Sequence, residues 1–205
     1  MARRLSGRTL ERGFYARDPR ELAPLLLNKV LADRRPGLAS VAARIVEVEA
    51  YCGSEDPGSH AYRGPTRRNR TMFGPPGHLY VYFTYGMHWC ANVVAATEGV
   101  GMAVLLRAAA PVLGVECMRE RRGKDRRDRE LCAGPARLTQ AFAITRADDG
   151  ADLVRGPLRI LDDATPPPNR PGRSNRIGLT QGRGDEHRWR WFVKGDVNVS
   201  RTTSR

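Results

Sequence analysis

The segment 44–51, RIVEVEAY, constrains the fold of this chain more than any other stretch. From Val46 onward its apolar and polar residues alternate. In a strand, Val46, Val48 and Ala50 therefore share one face, and Glu47, Glu49 and Tyr51 share the other. The apolar face is expected in the core. The other face is expected to look out, presenting two carboxylates and a phenol together. Upstream, VLADRRPGLASVAA supplies a partner strand and a turn around Pro36-Gly37, so residues 30–51 read as a hairpin.

Around this hairpin the chain alternates between strands and short helices. Asp18-Pro19-Arg20-Glu21 has the signature of a helix start, with Asp at the N-cap, Pro at N1 and Glu at N3, ahead of the short apolar helix LAPLLLNK. Residues 52–77 are rich in Gly, Pro and Arg and read as an ordered loop. HLYVYFTYGMHWCANVVAAT reads as two strands about a turn near Tyr85-Gly86, and VGMAVLLRAAA as a buried strand. GVECMRERRG and PARLTQAFAI read as helices with a solvated charge run between them. ATPPPNRPGRSN reads as a surface loop and RWRWFVKG as a last strand. No repeat is visible. The pattern implies an α+β (mixed α/β) fold: one domain over 18–205, a curved and largely antiparallel sheet, and flanking helices. Residues 1–17 read as a basic, mobile arm.

Composition narrows the function. The 205 residues carry 35 Lys+Arg against 22 Asp+Glu, a formal net charge of +13. Such an excess points to a polyanionic partner, most simply nucleic acid. The apolar runs are too short to span a bilayer, and the basic N-terminus lacks an apolar signal region, so a cytoplasmic protein is expected. Cys52, Cys90, Cys117 and Cys132 show no paired spacing and the four histidines no HxxxH, so neither a disulfide framework nor a metal site is expected. No GxGxxG or P-loop appears, so no nucleotide cofactor is expected.

Several side chains could carry chemistry. Glu47 and Glu49 read either as ion-paired strand residues or as catalytic carboxylates beside a Gly/Pro/His/Arg loop. In LYVYFTYG, Tyr80 and Tyr82 share one face, and Val81, Phe83 and Tyr85 the other. Tyr85, beside the turn glycine, is expected at an exposed hairpin tip, a position suited to a wedge between base steps. Arg63, Arg67, Arg68 and Arg70 are candidate phosphate contacts, with an ordinary solvated loop as the other reading. No lysine lies near the EVEAY strand or the tyrosine hairpin, so a Schiff-base mechanism has no obvious agent.

The segments RIVEVEAY, EDPGSHAYRG, RRNRTMFGPPGHLYVYFTYGMHWCANV, AVLLRA and CAGPARLTQAFAI, in this order, resemble the alkyladenine DNA glycosylase family, the eukaryotic-type 3-methyladenine DNA glycosylases. The resemblance runs from about residue 20 to about residue 197. It implies a protruding DNA-intercalating hairpin and a monofunctional, cofactor-free, monomeric enzyme that needs no protein partner. Such an enzyme flips a damaged purine out of duplex DNA and hydrolyses its N-glycosidic bond. It implies Glu49 as the carboxylate that activates water and Arg107 as the group that positions that water. It implies Tyr51, His60 and Tyr82 as walls about the flipped base, the His60 backbone N–H as a donor to the base edge, and Asn92 as the residue that crowds the guanine amine. Tyr85 is implied as the residue that fills the gap in the duplex. Three departures stand out: a loop between His60 and Asn69 one residue shorter than in some family members, Thr66-Arg67 within it where Thr-Pro is typical, and His88 where tyrosine also occurs. They bear on substrate range. The rival readings are a damage-binding protein without catalysis, an enzyme for a bulky natural-product adduct, and an RNA-binding protein.

Overall fold

Asp18 caps a helix by accepting a hydrogen bond from the Arg20 backbone N–H at 2.8 Å, with Pro19 supplying a preset φ at the first helical position. In this computed structural model, which describes residues 6–200, that helix is the second of five: α1 Arg12–Tyr15, α2 Pro19–Leu26, α3 Val115–Arg122, α4 Asp128–Leu131 and α5 Pro135–Ala141. The strands are β1 Arg8–Thr9, β2 Val30–Asp33, β3 Val41–Cys52, β4 Leu79–Thr84, β5 His88–Ala95, β6 Met102–Leu113, β7 Leu158–Asp162, β8 Gly172–Ser174 and β9 Arg190–Phe192.

These nine strands join one antiparallel sheet: seven run in the order β1-β7-β2-β3-β6-β5-β4, and β9 pairs with β3 and with β8 beside that path. β3 is its spine. One edge of β3 pairs first with β2 and then with β9; the other pairs with β6 along almost its full length. Register shifts near Ile45, Glu47 and Val48 break the ladder with β6. Such bulges bend a strand and raise its twist, which curls the sheet. One face carries the main core: Val48, Ala50, Leu106 and Val93 pack with Leu22 and Leu26 of α2 and with Leu138 and Phe142 at α5. The expected hairpins at 30–51 and 79–95 are present, as are the helices at 19–26, 115–122 and 135–141.

Three expectations are corrected. The first is the outward-looking acidic face of β3, since Glu47 and Glu49 are both fully buried. β9, the 174–179 loop and Ser200 cover that side, and local alternation cannot report a cover so distant in sequence. The second is the mobile arm. Residues 1–5 lie outside the described residues, but β1 pairs with β7, and Tyr15 is fully buried beneath Gly77. Arg12 bonds Asp152 at 2.7 Å, so the described part of 1–17 is docked on the body. The third concerns two segments read as irregular. The charge run ends in α4, tied to α3 by the Arg119–Asp128 ion pair, and the 164–175 loop contains β8.

Candidate active site

The opposite face of the sheet builds the site. Strand register places Arg190, Glu49, Leu105, Asn92 and Tyr80 in one transverse row across β9, β3, β6, β5 and β4. Paired residues of antiparallel strands share a face. Two residues along from that row, Tyr51, Arg107, Cys90 and Tyr82 point the same way. The loop 58–73 and the segment 177–179 close over them, leaving a cavity of about 360 Å³.

Tyr51, His60, Tyr82, Tyr85, Asn92 and Arg107 all line this one cavity, although they come from four different strands and two turns. His60 stands edge-on to Tyr82, with ring centres 4.4 Å apart, and its Nδ1 lies 3.1 Å from the Tyr80 hydroxyl. Tyr80 and Tyr82 stack at 5.5 Å. His60 is open to the cavity, yet the surrounding rings desolvate it and the Arg68 cation opposes its charging. Its pKa falls to about 4, so the imidazole is neutral at pH 7. Among the described residues its backbone N–H meets no protein acceptor, while its carbonyl is held by Asn69 Nδ2 at 2.8 Å. Burial and the Glu49 charge raise the Tyr51 phenol, and burial raises Tyr82, so both remain neutral hydroxyls. Asn92 is tethered to the Tyr80 carbonyl at 3.3 Å.

Glu49 lies immediately behind this lining. Its Oε1 accepts from the Ile177 backbone N–H at 2.7 Å and pairs with Arg107 Nη1 at 3.2 Å. Its Oε2 accepts from the Tyr51 hydroxyl at 3.0 Å, and from no other group among the described residues, which leaves acceptor capacity on that oxygen. Arg107 Nε donates to Glu47 at 2.8 Å. The guanidinium therefore bridges the two carboxylates, and their charges keep it firmly protonated despite its burial. Arg107 falls where the β3–β6 ladder is interrupted, between Ala108 and Leu106. A bulge of this kind re-aims a side chain.

At the hairpin tip, Tyr85 is 79% exposed, with φ +51° followed by Gly86 at φ +67°. Arg63, Arg67, Arg68 and Arg70 are all exposed. Of these, Arg68 reaches the cavity wall, with its guanidinium 5.8 Å from the Tyr82 ring centre and bonded to the Phe83 carbonyl.

Sequence reasoning missed part of the cavity. Leu105 and Cys90 lie two residues from Arg107 and Asn92 on the same strands, so alternation could have found them. Ile177, Gly178 and Leu179 could not have been found this way, because their contact with β3 spans more than 120 residues. The Asp56–Arg176 pair was missed for the same reason. Both side chains are fully buried and bonded at 2.5 and 2.7 Å, and the guanidinium sits between the Tyr51 and Trp189 rings at 4.6 and 5.1 Å. That pair backs the Tyr51 wall from outside the cavity.

Residues 13–197 match the family described as Methylpurine-DNA glycosylase (MPG). The chain is 51% identical over 208 residues to a Burkholderia lata protein provisionally named 3-methyladenine DNA glycosylase, covering 100% of this chain and 97% of that relative. It is 48% identical over 194 residues to a Streptomyces avermitilis protein with the same provisional name, covering 93% and 90%. A third relative with that name, from Methanoculleus marisnigri, is 46% identical over 196 residues, covering 94% and 99%.

Proposed function

The chain belongs to the methylpurine-DNA glycosylase family of DNA-repair enzymes, and from that premise we propose that it excises alkylated or deaminated purines from duplex DNA. It acts as a monofunctional glycosylase of base excision repair. It turns the damaged nucleotide out of the helix and hydrolyses its N-glycosidic bond with a water activated by Glu49. The lesion class comprises 3-methyladenine, 7-methylguanine, hypoxanthine and ethenoadenine. It works as a monomer, without a protein partner.

One observation carries this reading: a buried carboxylate, held by Arg107 and the Ile177 N–H, lies directly behind an aromatic cavity of about 360 Å³. As the C1′–N bond breaks, its electron pair leaves with the purine and the sugar becomes cationic. A fixed carboxylate stabilises that charge. Water then bonds C1′, and its proton passes to Glu49. An N3- or N7-alkylated purine already leaves as a neutral base. Hypoxanthine must gain a proton as it leaves, so its excision falls at high pH.

Tyr51, His60 and Tyr82 supply faces and edges for the flipped base, and stacking contributes about 1–3 kcal/mol per base. The His60 amide is free to donate to the base edge. Asn92 presents its amide where a guanine amine would crowd it. Tyr85 fills the vacated position in the duplex, offsetting a flipping cost of a few kcal/mol, roughly. Arg63, Arg67, Arg68 and Arg70 contact phosphates without reading sequence.

The test is single-turnover base release from duplexes carrying one hypoxanthine, ethenoadenine or 7-methylguanine, with wild type and Glu49→Gln run together. Free base from wild type alone supports the reading. Lesion-specific binding without release from any duplex would overturn it in favour of a damage-binding protein.

A further inference from the structure

Glu47 is fully buried and has no direct exposure to the cavity. Four donors converge on it: Arg107 Nε at 2.8 Å, Arg190 Nε at 2.7 Å, Ser200 N at 2.6 Å and Ser200 Oγ at 2.7 Å. These come from β6, β9 and the segment that follows β9. We propose that Glu47 is a positioning residue for base excision: it anchors Arg107 by Nε so that Nη1 reaches Glu49, and its charge offsets one of the two guanidiniums it binds, Arg107 and Arg190, beside the water-activating carboxylate. This inference rests on the glycosylase reading of the site.

Both halves follow from geometry. The guanidinium donates in fixed directions, so seating Nε on Glu47 determines where Nη1 points. Glu47 and Glu49 share a strand face two residues apart, and Arg107 spans them with Nε on one and Nη1 on the other. The charges then balance locally, with Glu47 and Glu49 against Arg107 and Arg190. Burial alone would push Glu47 towards its neutral form, but the two arginines hold its carboxyl below the usual range and keep it ionised.

A carboxylate accepts the water proton well only while its own charge is not over-stabilised. The groups around Glu49 are Arg107 from β6, Arg190 opposite it on β9, Glu47 and Tyr51 on its own strand, Tyr82 and Cys90 from the hairpin, and Arg176 with Ile177 from the 176–179 segment. The charged ones are Glu47 and the three arginines, and Arg176 is offset by its own partner, Asp56. Neutralising Glu47 leaves Arg107 and Arg190 uncompensated. Glu49 is then held more tightly as the anion and becomes a weaker base. Removing the Arg190 charge acts in the opposite direction.

The experiment measures single-turnover release of 7-methylguanine from duplex DNA against pH, because that leaving group needs no added proton. The acid limb then reports ionisation of Glu49. Glu47→Gln is expected to slow release by about ten- to a hundredfold, the range found for the outer partners that orient metal ligands, and to move the acid limb to lower pH. Arg190→Gln is expected to move the limb to higher pH. Ser200→Ala, which removes a neutral donor, leaves the limb in place. Lesion-duplex affinity is measured on the same samples to count folded protein. Opposite shifts support the proposal. A lowered rate with an unmoved limb in both charge variants reduces Glu47 to a packing residue and overturns it. Should Glu47→Gln fail to fold, the direction of the Arg190→Gln shift decides. Failure of wild type to release any lesion is a separate outcome, and it overturns the glycosylase reading itself.

Discussion

Replacing Tyr85 with glycine should separate folding from activity. Tyr85 and Gly86 take consecutive left-handed conformations, at φ +51° and +67°, and Met87 N bonds the Thr84 carbonyl at 3.2 Å. That is the pattern of a type I′ turn, which matches the twist of β4 and β5. An L-residue pays about 1–2 kcal/mol for this backbone. With 79% of Tyr85 exposed, burial returns almost none of that cost. Glycine removes the strain and adds about 0.4–1 kcal/mol of unfolded-state entropy. The two terms nearly cancel, so Tyr85→Gly should unfold within about 1 kcal/mol of wild type, and Tyr85→Ala, which keeps the strain, should be no more stable. Excision should behave differently. If filling the duplex gap is worth about 1–3 kcal/mol, as for a stacked aromatic, the loss corresponds to about five- to 150-fold. Urea denaturation and single-turnover release of hypoxanthine read the two effects on one preparation. Release within twofold of wild type would refute the wedge. A stability loss near 2 kcal/mol would refute the account of the turn.

Three further outcomes are expected. Arg176→Met should cost about 3–5 kcal/mol, because it strands the buried Asp56 carboxylate; Asp56→Asn added to it should recover part of that in urea denaturation, and equal instability of the single and double variants would count against a charge origin. Folding stability should decline as pH falls from 6.5 towards 4, because unfolded His60 takes up protons there while the folded imidazole, at about 4, does not. His60→Gln should flatten that part of the pH–stability curve, and an unchanged slope would place the effect elsewhere. Asn92→Ser should raise release of normal guanine relative to hypoxanthine, and an unchanged ratio would remove Asn92 from discrimination.

Much of the fold was legible because it rests on local signals. Alternation in β3 assigned Glu47, Glu49 and Tyr51 to one face, the Asp18-Pro19 pair marked the start of α2, and Tyr85-Gly86 marked the hairpin tip. The resemblance through RIVEVEAY, EDPGSHAYRG, the aromatic hairpin and AVLLRA named Tyr51, His60, Tyr82, Asn92 and Arg107 in advance, and all five line one cavity. The face of β3 was right but its surroundings were wrong. A strand's alternation says which residues are neighbours, but nothing about what lies above them.

Amino-acid order alone therefore determined the periodicity, the cap, the turn and the sidedness of the carboxylates, because each depends on residues within a few positions of one another. Only the tertiary structure decided that those carboxylates are buried. It decided that Ile177, 128 residues on, closes over Glu49, that Ser200, 153 residues on, binds Glu47, and that Arg176 backs Tyr51. Those contacts are made by segments with no periodic pattern of their own. They are selected by the need to satisfy buried charges once the sheet has formed, and that need arises only in the folded chain.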